Sequence, residues 1–329
     1  MIRTKIIGTG SYIPEKVMTN DELSELVDTS DEWIRTRTGI TKRHIAGKLN
    51  NADMAYEAAR AAIKESEISG GDIGLIITAT STPDYSFPNT SSFVQKKTGA
   101  VNAVCFDVSA ACSGFIIALD IADTMLKQGK CRYALVIGSE KMSDIVNWHD
   151  RNVCVLFGDG AGAVILRADN VELSGQNTDM PDNMPYGIID SDIHNDGTCL
   201  DVLTGGRRGA DSDDAFIHMN GQEVFRFAVK NVPKTIEILL RKNNLDVSDI
   251  DKFILHQANI RIIEGVAKRL GAGKDKFPAN LSEYGNTSSA SIPILLDELN
   301  KKGKLHRGEK LVLAGFGAGL SWGSVLLVW

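Results

Sequence analysis

Cysteine is scarce in this chain and poorly placed for cross-linking. The five residues, at 105, 112, 131, 154 and 199, are odd in number, form no Cys-x-x-Cys pair and have no paired histidines nearby. That spacing speaks against a disulfide framework or a zinc site and fits a reducing, cytoplasmic setting. Long apolar runs are missing too: none approaches the roughly 18 residues of a membrane span. The opening "MIRTKIIGTGSYIP" lacks the apolar core of a secretion signal, so neither export nor a membrane partner is expected. Positive charge is not in excess, and a net charge of −6 argues against general nucleic-acid binding. What remains is a globular composition, 329 residues of which 43% are hydrophobic, enough for two cores or one large double core.

The chain repeats itself. "ADMAYEAARAAIKESEISGGDIGLIITATS" (52–81) reads as a helix, a short polar link and an apolar strand, and "QEVFRFAVKNVPKTIEILLRKNNLDVSDIDKFILHQA" (222–258) gives the same series. The Asp-Ile pairs within them lie 177 positions apart. A helix follows in each case, ending in "QKKTGA" (95–100) and "AKRLGA" (267–272); "ALVIGSE" (134–140) then matches "LVLAGFG" (311–317). Each half closes with a Gly-rich turn into a strand, "GDGAGAVILRA" (158–168) and "GLSWGSVLLVW" (319–329). Such a duplication predicts an α/β protein of two similar halves with mostly parallel sheets covered by helices. The boundary is expected in the polar region around 169–215, dividing the chain into 1–170 and 171–329.

Within this frame "DVSAACSGFIIALDIA" (107–122) places Cys112 between a strand-like run and a helical pattern. A helix N-terminus favours negative charge and can lower a thiol pKa by roughly 1–5 units, so a reactive thiolate is expected there. A cysteine buried for packing alone fits the same stretch. "GDGAGA" (158–163) has the loose form of a dinucleotide fingerprint, but a strand follows it where a helix should, so nucleotide binding is rejected. Its glycines, like those of "GFGAGLSWG" (315–323), suit close backbone approach at a turn, and residues 317–319 could aim an N–H at an oxyanion.

Five of the six histidines sit in polar segments, but "KFILHQAN" (252–259) puts His256 at the C-terminal end of an apolar strand, where α/β sheets open their sites. Asn286, in "NLSEYGNTSSASIPILLDEL" (280–299), is expected to hold in the second half the place Cys112 holds in the first. A helix cap would also explain it. If the two helix starts face each other, cysteine, histidine and asparagine converge.

The order and spacing of "GTGSYIPE" (8–15), "DEWIRTRTGI" (31–40), "ACSGF" (111–115), "FGDGAGA" (157–163), "HQAN" (256–259), "YGNTSSAS" (284–291) and "GFGAGLSWG" (315–323) resemble those of the β-ketoacyl-acyl carrier protein synthase III family over the whole chain. The resemblance implies a thiolase-like duplicated fold layered αβαβα, and a decarboxylative condensation of an acyl-CoA primer with malonyl-acyl carrier protein. It implies Cys112 as nucleophile, His256 and Asn286 as donors to the malonyl thioester oxygen, and an oxyanion hole of the Cys112 and Ala318 backbone N–H groups. Ala318 stands where relatives often carry glycine. Trp33 and Arg151 would sandwich the CoA adenine, Arg37 would meet its phosphate and Asn259 its pantetheine. Phe87 would cross a homodimer interface to floor the partner's acyl pocket, although a core phenylalanine fits the same loop. No cofactor is implied, because the CoA thioester is a substrate.

Carrier protein is acidic, so basic residues are expected near the site. In "NIRIIEGVAKRLGA" (259–272) the stripe Ile262, Val266 and Leu270 turns Arg261, Lys268 and Arg269 outward. A papain-like hydrolase shares the Cys, His, Asn order but lacks its "CGSCW" neighbourhood here. A non-catalytic acyl binder need not keep all three residues. Condensing enzymes of polyketide and alkylquinolone synthesis share the set and remain open as the alternative.

Overall fold

The structure, a computed structural model, describes residues 2–170, 186–206 and 213–329. The expected boundary between 170 and 171 opens onto residues 171–185, outside those described.

Two mixed sheets carry the duplication. The first runs Ile2–Tyr12, Gly160–Asn170, Tyr133–Glu140, Ile73–Ala79 and Val104–Val108 in spatial order. The second runs Gly187–Asn195, Ser321–Val328, Lys310–Gly317 and Lys252–Leu255. In both, the first two pairings are antiparallel and the third is parallel; the first sheet adds one more parallel strand. Mixed, mostly parallel sheets were expected, and in each sheet all strands but one run in the same direction. In each half the last strand returns beside the preceding one, Gly160–Asn170 along Tyr133–Glu140 and Ser321–Val328 along Lys310–Gly317, which makes that pairing antiparallel.

The 177-residue offset has a structural cause. Asp72 Oδ2 accepts the Ser69 N–H at 2.8 Å and Asp249 Oδ2 accepts the Asp246 N–H at 2.8 Å. Each closes a one-turn 3₁₀ segment that launches the following strand, so Asp precedes Ile in both halves for the same capping reason.

Helices and sheets form five layers. Helix Asn51–Ser66 lies on the outer face of the first sheet with Ala52, Ala55, Ala58, Ala59 and Ala62 buried. Small residues permit close contact: a Cβ on Gly10 would lie 2.2 Å from the Ala58 carbonyl oxygen. Helix Gly221–Lys242 covers the second sheet and helix Ile260–Leu270 packs against it, burying Ile262, Ile263, Val266, Ala267 and Leu270. That is the expected stripe, widened by two residues. Beneath it Phe253 is fully buried and stacks on Phe277 at 4.8 Å between ring centroids. Between the sheets lie helices Gly114–Lys127 and Ser291–Lys301, one from each half. Asp297 on the latter accepts from Thr9 Oγ1 at 2.9 Å and pairs with Lys301 at 2.7 Å, tying the second half to the first strand.

Both middle helices start from a 3₁₀ turn, Ala111–Ser113 and Ser288–Ala290, and each turn opens with a left-handed residue, Ala111 at φ 44° and Ser288 at φ 50°. By this geometry Ser289, not Asn286, holds the place of Cys112. The sequence expectation placed Asn286 there because both residues precede small residues and a helix; the turn shows that it lies three positions earlier. Nor does Asn286 cap the helix, whose cap is Ala290.

Candidate active site

The Ala111–Ser113 turn buries Cys112 at the head of helix Gly114–Lys127. Gly317 must lack a side chain here, since a Cβ would come within 2.7 Å of the Cys112 backbone nitrogen. The Cys112 thiol donates to Ser288 Oγ at 3.4 Å. Burial pushes its pKa up to about 12, and the nearby Glu140 carboxylate adds to the rise. The expectation of a depressed pKa is therefore corrected. Desolvation of the charged form outweighs the helix terminus here.

His256 follows strand Lys252–Leu255 and continues its parallel ladder through N–H to the Ala314 carbonyl at 2.8 Å. It is buried against the edge of Phe316 at 5.3 Å. Burial lowers its pKa to about 3, so the ring is neutral at ordinary pH. Nδ1 lies 2.7 Å from Ser291 Oγ, which also accepts the Gln257 N–H at 3.3 Å. The only acceptor facing that hydroxyl among the described residues is Nδ1. Ser291 therefore donates to it, and the ring proton belongs on Nε2. Nε2 is buried and has no hydrogen-bond partner among the described residues, a donor held ready.

Asn286 accepts the Ser288 N–H on Oδ1 at 2.8 Å, leaving its amide NH₂ as the free end of the side chain. Its backbone is stapled beside Phe157, with Asn286 N–H to the Leu156 carbonyl at 2.8 Å and Gly158 N–H to the Asn286 carbonyl at 3.0 Å. One segment, 286–291, thus touches or carries all three residues: Ser288 meets Cys112, Ser291 meets His256, and Asn286 opens it.

A cavity of about 1040 Å³ reaches Cys112, Ser288 and Ala318. Met142, Ile145, Phe157, Leu203 and Ile217 give it an apolar side. Phe87 is not on its wall. It is 86% exposed in the single chain, which rules out the core alternative, with Tyr85 and Val104 also exposed nearby.

Trp33, Arg37, Arg151 and Asn259 form a separate cluster. Ser30 caps helix Asp31–Thr38 and Gly39 ends it in the left-handed region. The Arg37 and Arg151 guanidinium carbons lie 5.4 and 5.0 Å from the Trp33 ring centroid, and Asn259 Nδ2 donates to the Arg37 carbonyl at 3.1 Å. Arg151 rests on the indole itself and donates to the Asp28 carbonyl at 2.8 Å. A base sandwiched between Trp33 and Arg151 requires that guanidinium to swing out. Arg261, Lys268 and Arg269 are exposed on the helix Asn259 caps, and none pairs with a carboxylate among the described residues.

Glu140, Ser288 and Ser291 escaped the sequence reading. Glu140 carried the signal that singled out His256, a polar residue ending an apolar strand. The serines were visible only as small residues in "GNTSSAS".

Comparison with known proteins gives the family and the fold. Residues 106–197 match the family model of 3-oxoacyl-(acyl-carrier-protein) synthase III and residues 240–329 match the model of its C-terminal region. The chain is 50% identical over 335 aligned positions to a β-ketoacyl-(acyl-carrier-protein) synthase III of Clostridium botulinum, covering 100% of this chain and 99% of the relative. The chain belongs to the 3-oxoacyl-(acyl-carrier-protein) synthase III family. Solved structures of such synthases from Aquifex aeolicus and Pseudomonas aeruginosa superpose with TM-scores of 0.90 and 0.91, at 44% and 38% identity. The first alignment covers 99% of this chain and 100% of the other, the second 99% and 98%. The chain is thus a condensing acyltransferase of fatty acid initiation, built on the thiolase fold.

Proposed function

We propose that the enzyme loads an acyl group from acyl-CoA onto Cys112 and condenses it with malonyl-acyl carrier protein. The observation that carries this reading is the serine-rich segment 286–291, which bonds the buried Cys112 thiol through Ser288 and the neutral His256 ring through Ser291 and opens on the Asn286 side chain. Cys112 sulfur attacks the primer thioester and the CoA thiolate leaves, so the acyl-enzyme keeps thioester energy. Malonyl-acyl carrier protein then enters. The His256 Nε2–H and the Asn286 NH₂ donate to its thioester oxygen and stabilise the enolate formed as carbon dioxide departs. The carbon nucleophile attacks acyl-Cys112. Its oxyanion is held by the Cys112 N–H and, in this reading, the Ala318 N–H, donors worth roughly 3–4 kcal/mol each in comparable sites.

The apolar side of the cavity receives the acyl chain, and the Trp33 cluster receives CoA. Phe87, too exposed for a lone chain, fits a homodimer in which it closes the partner's pocket. The basic face of helix Ile260–Leu270 docks the carrier protein. In this reading the enzyme works as a cytoplasmic homodimer and needs no bound cofactor, and no helix of the described residues is long and apolar enough to cross a membrane.

The test is incubation with labelled acetyl-CoA and malonyl-acyl carrier protein. A labelled 3-oxoacyl product is expected, with the trapped acyl group on Cys112 alone. Acylation of Cys105, Cys131, Cys154 or Cys199 with Cys112 free overturns the assignment.

A further inference from the structure

Glu140 ends strand Tyr133–Glu140 with its side chain fully buried, and no step written above uses it. Oε2 accepts from the Ser81 N–H at 3.0 Å, Thr82 Oγ1 at 2.7 Å and Thr80 Oγ1 at 3.4 Å. Oε1 accepts from Ser288 Oγ at 3.1 Å and Ser289 Oγ at 2.9 Å. These donors come from the end of the neighbouring strand and from the turn facing Cys112. Among the described residues no Lys, Arg or His is bonded to the carboxyl; the adjacent Lys141 pairs with Asp144 at 3.1 Å. A buried carboxylate without a cation is costly, and it is the kind of group that accepts a proton readily.

The bond directions make a wire. The Cys112 thiol donates to Ser288 Oγ at 3.4 Å, and Ser288 Oγ donates to Glu140 Oε1 at 3.1 Å. We propose that Glu140 is the store for the Cys112 proton, filled through Ser288 when Cys112 attacks the primer thioester. As the sulfur–carbon bond forms, the S–H bond breaks, its proton passes to Ser288 Oγ, and the Ser288 hydroxyl proton passes to Glu140 Oε1. Collapse of the tetrahedral adduct expels the CoA thiolate, which takes a proton from solvent. Glu140 stays neutral while Cys112 carries the acyl group. When condensation releases Cys112 as a leaving thiolate, the same two transfers run backward.

The physical gain is that two negative charges never share the buried site. Losing the thiol proton to solvent would leave two anions in one buried site, and Glu140 is among the causes that raise the Cys112 pKa. Internal transfer holds the buried site to at most one negative charge, on Glu140 before attack and on the adduct after it, with none in the acyl-enzyme once the CoA thiolate has left, and it lets the helix terminus act on the thiolate.

The proposal rests on Cys112 being the acyl acceptor, so the wild-type acyl-enzyme is mapped first by mass spectrometry. Ser288→Ala and Glu140→Gln are then compared with wild type in single-turnover acyl transfer from acetyl-CoA and in decarboxylation of malonyl-acyl carrier protein. Acyl transfer should fall about 100-fold in each, the usual scale for a lost proton acceptor. Decarboxylation should fall far less. The pH profile of Cys112 alkylation by iodoacetamide supplies a readout that mere destabilisation would not move. In wild type the rate should rise as Glu140 ionises and then level off. In Glu140→Gln that limb should vanish, leaving a rise only toward the thiol's own high pKa. Should Glu140→Gln misfold, Ser288→Ala carries the test, because it leaves the Ser81, Thr82 and Ser289 bonds to Glu140 in place. Acyl-Cys112 with unchanged transfer rates and alkylation profiles overturns the relay alone; label on another residue overturns nucleophile and relay together.

Discussion

Ser291 Oγ lies 2.7 Å from His256 Nδ1, the only acceptor facing that hydroxyl among the described residues, and it also accepts the Gln257 N–H. The helix that begins at Ser291 thereby decides which ring nitrogen carries the histidine proton. Ser291→Ala should remove that preference and let Nδ1 compete for the proton. Nitrogen chemical shifts of labelled His256 would show a single Nε2–H tautomer in wild type and a mixture in the variant. Malonyl decarboxylation should fall roughly tenfold, the factor that 1.4 kcal/mol represents, and a single unchanged tautomer would refute the role.

The two half-reactions should separate. His256→Ala and Asn286→Ala remove donors to the enolate but leave the Cys112 turn intact, so decarboxylation should drop by roughly 100-fold or more while acyl transfer from CoA changes little. Each step can be followed with its own label. Wild-type decarboxylation in both variants would remove the two residues from that role.

Arg151 stacked on Trp33 predicts a particular pattern of binding loss. Trp33→Ala removes the surface on which both guanidinium groups rest and should raise the KM for acyl-CoA. A stacking face is worth about 1–2 kcal/mol, or about tenfold. The KM for malonyl-acyl carrier protein should be unaffected. Equal effects on both substrates would mean that the cluster is structural.

Arg261→Glu should slow condensation with malonyl-acyl carrier protein at low salt, with the defect shrinking as salt rises, because rim charges act on encounter. Acyl transfer from CoA should be nearly unchanged. No loss with carrier protein would place docking on another face.

The neutral buried His256 also makes stability depend on pH. Its folded-state pKa is about 3, against 6.5 for an exposed ring. Between those values the unfolded chain binds a proton that the folded enzyme refuses, so stability is present above about 6.5 and is lost as pH falls through the window. Each pKa unit is worth about 1.4 kcal/mol. Denaturant midpoints between pH 7 and 4 should fall in wild type and fall less steeply in His256→Gln. Parallel slopes would show that the ring is protonated when folded.

The sequence alone determined what local pattern encodes. Ser30 and Gly39 bound a helix because a cap and a left-handed stop act within a few residues. The stripe on 260–270 faced the core because its spacing matches the helix period. The duplication was legible because Asp72 and Asp249 close the same capped turn, and His256 because it ends an apolar strand. Only the tertiary structure decided that Ser289 is the counterpart of Cys112, that burial raises the thiol pKa, and that Phe87 is exposed. It also decided that Glu140 meets Ser288 and that Ser291 meets His256. These facts depend on partners up to 176 positions apart, on solvent exclusion and on the direction in which closing strands return, none of which leaves a local periodicity to read.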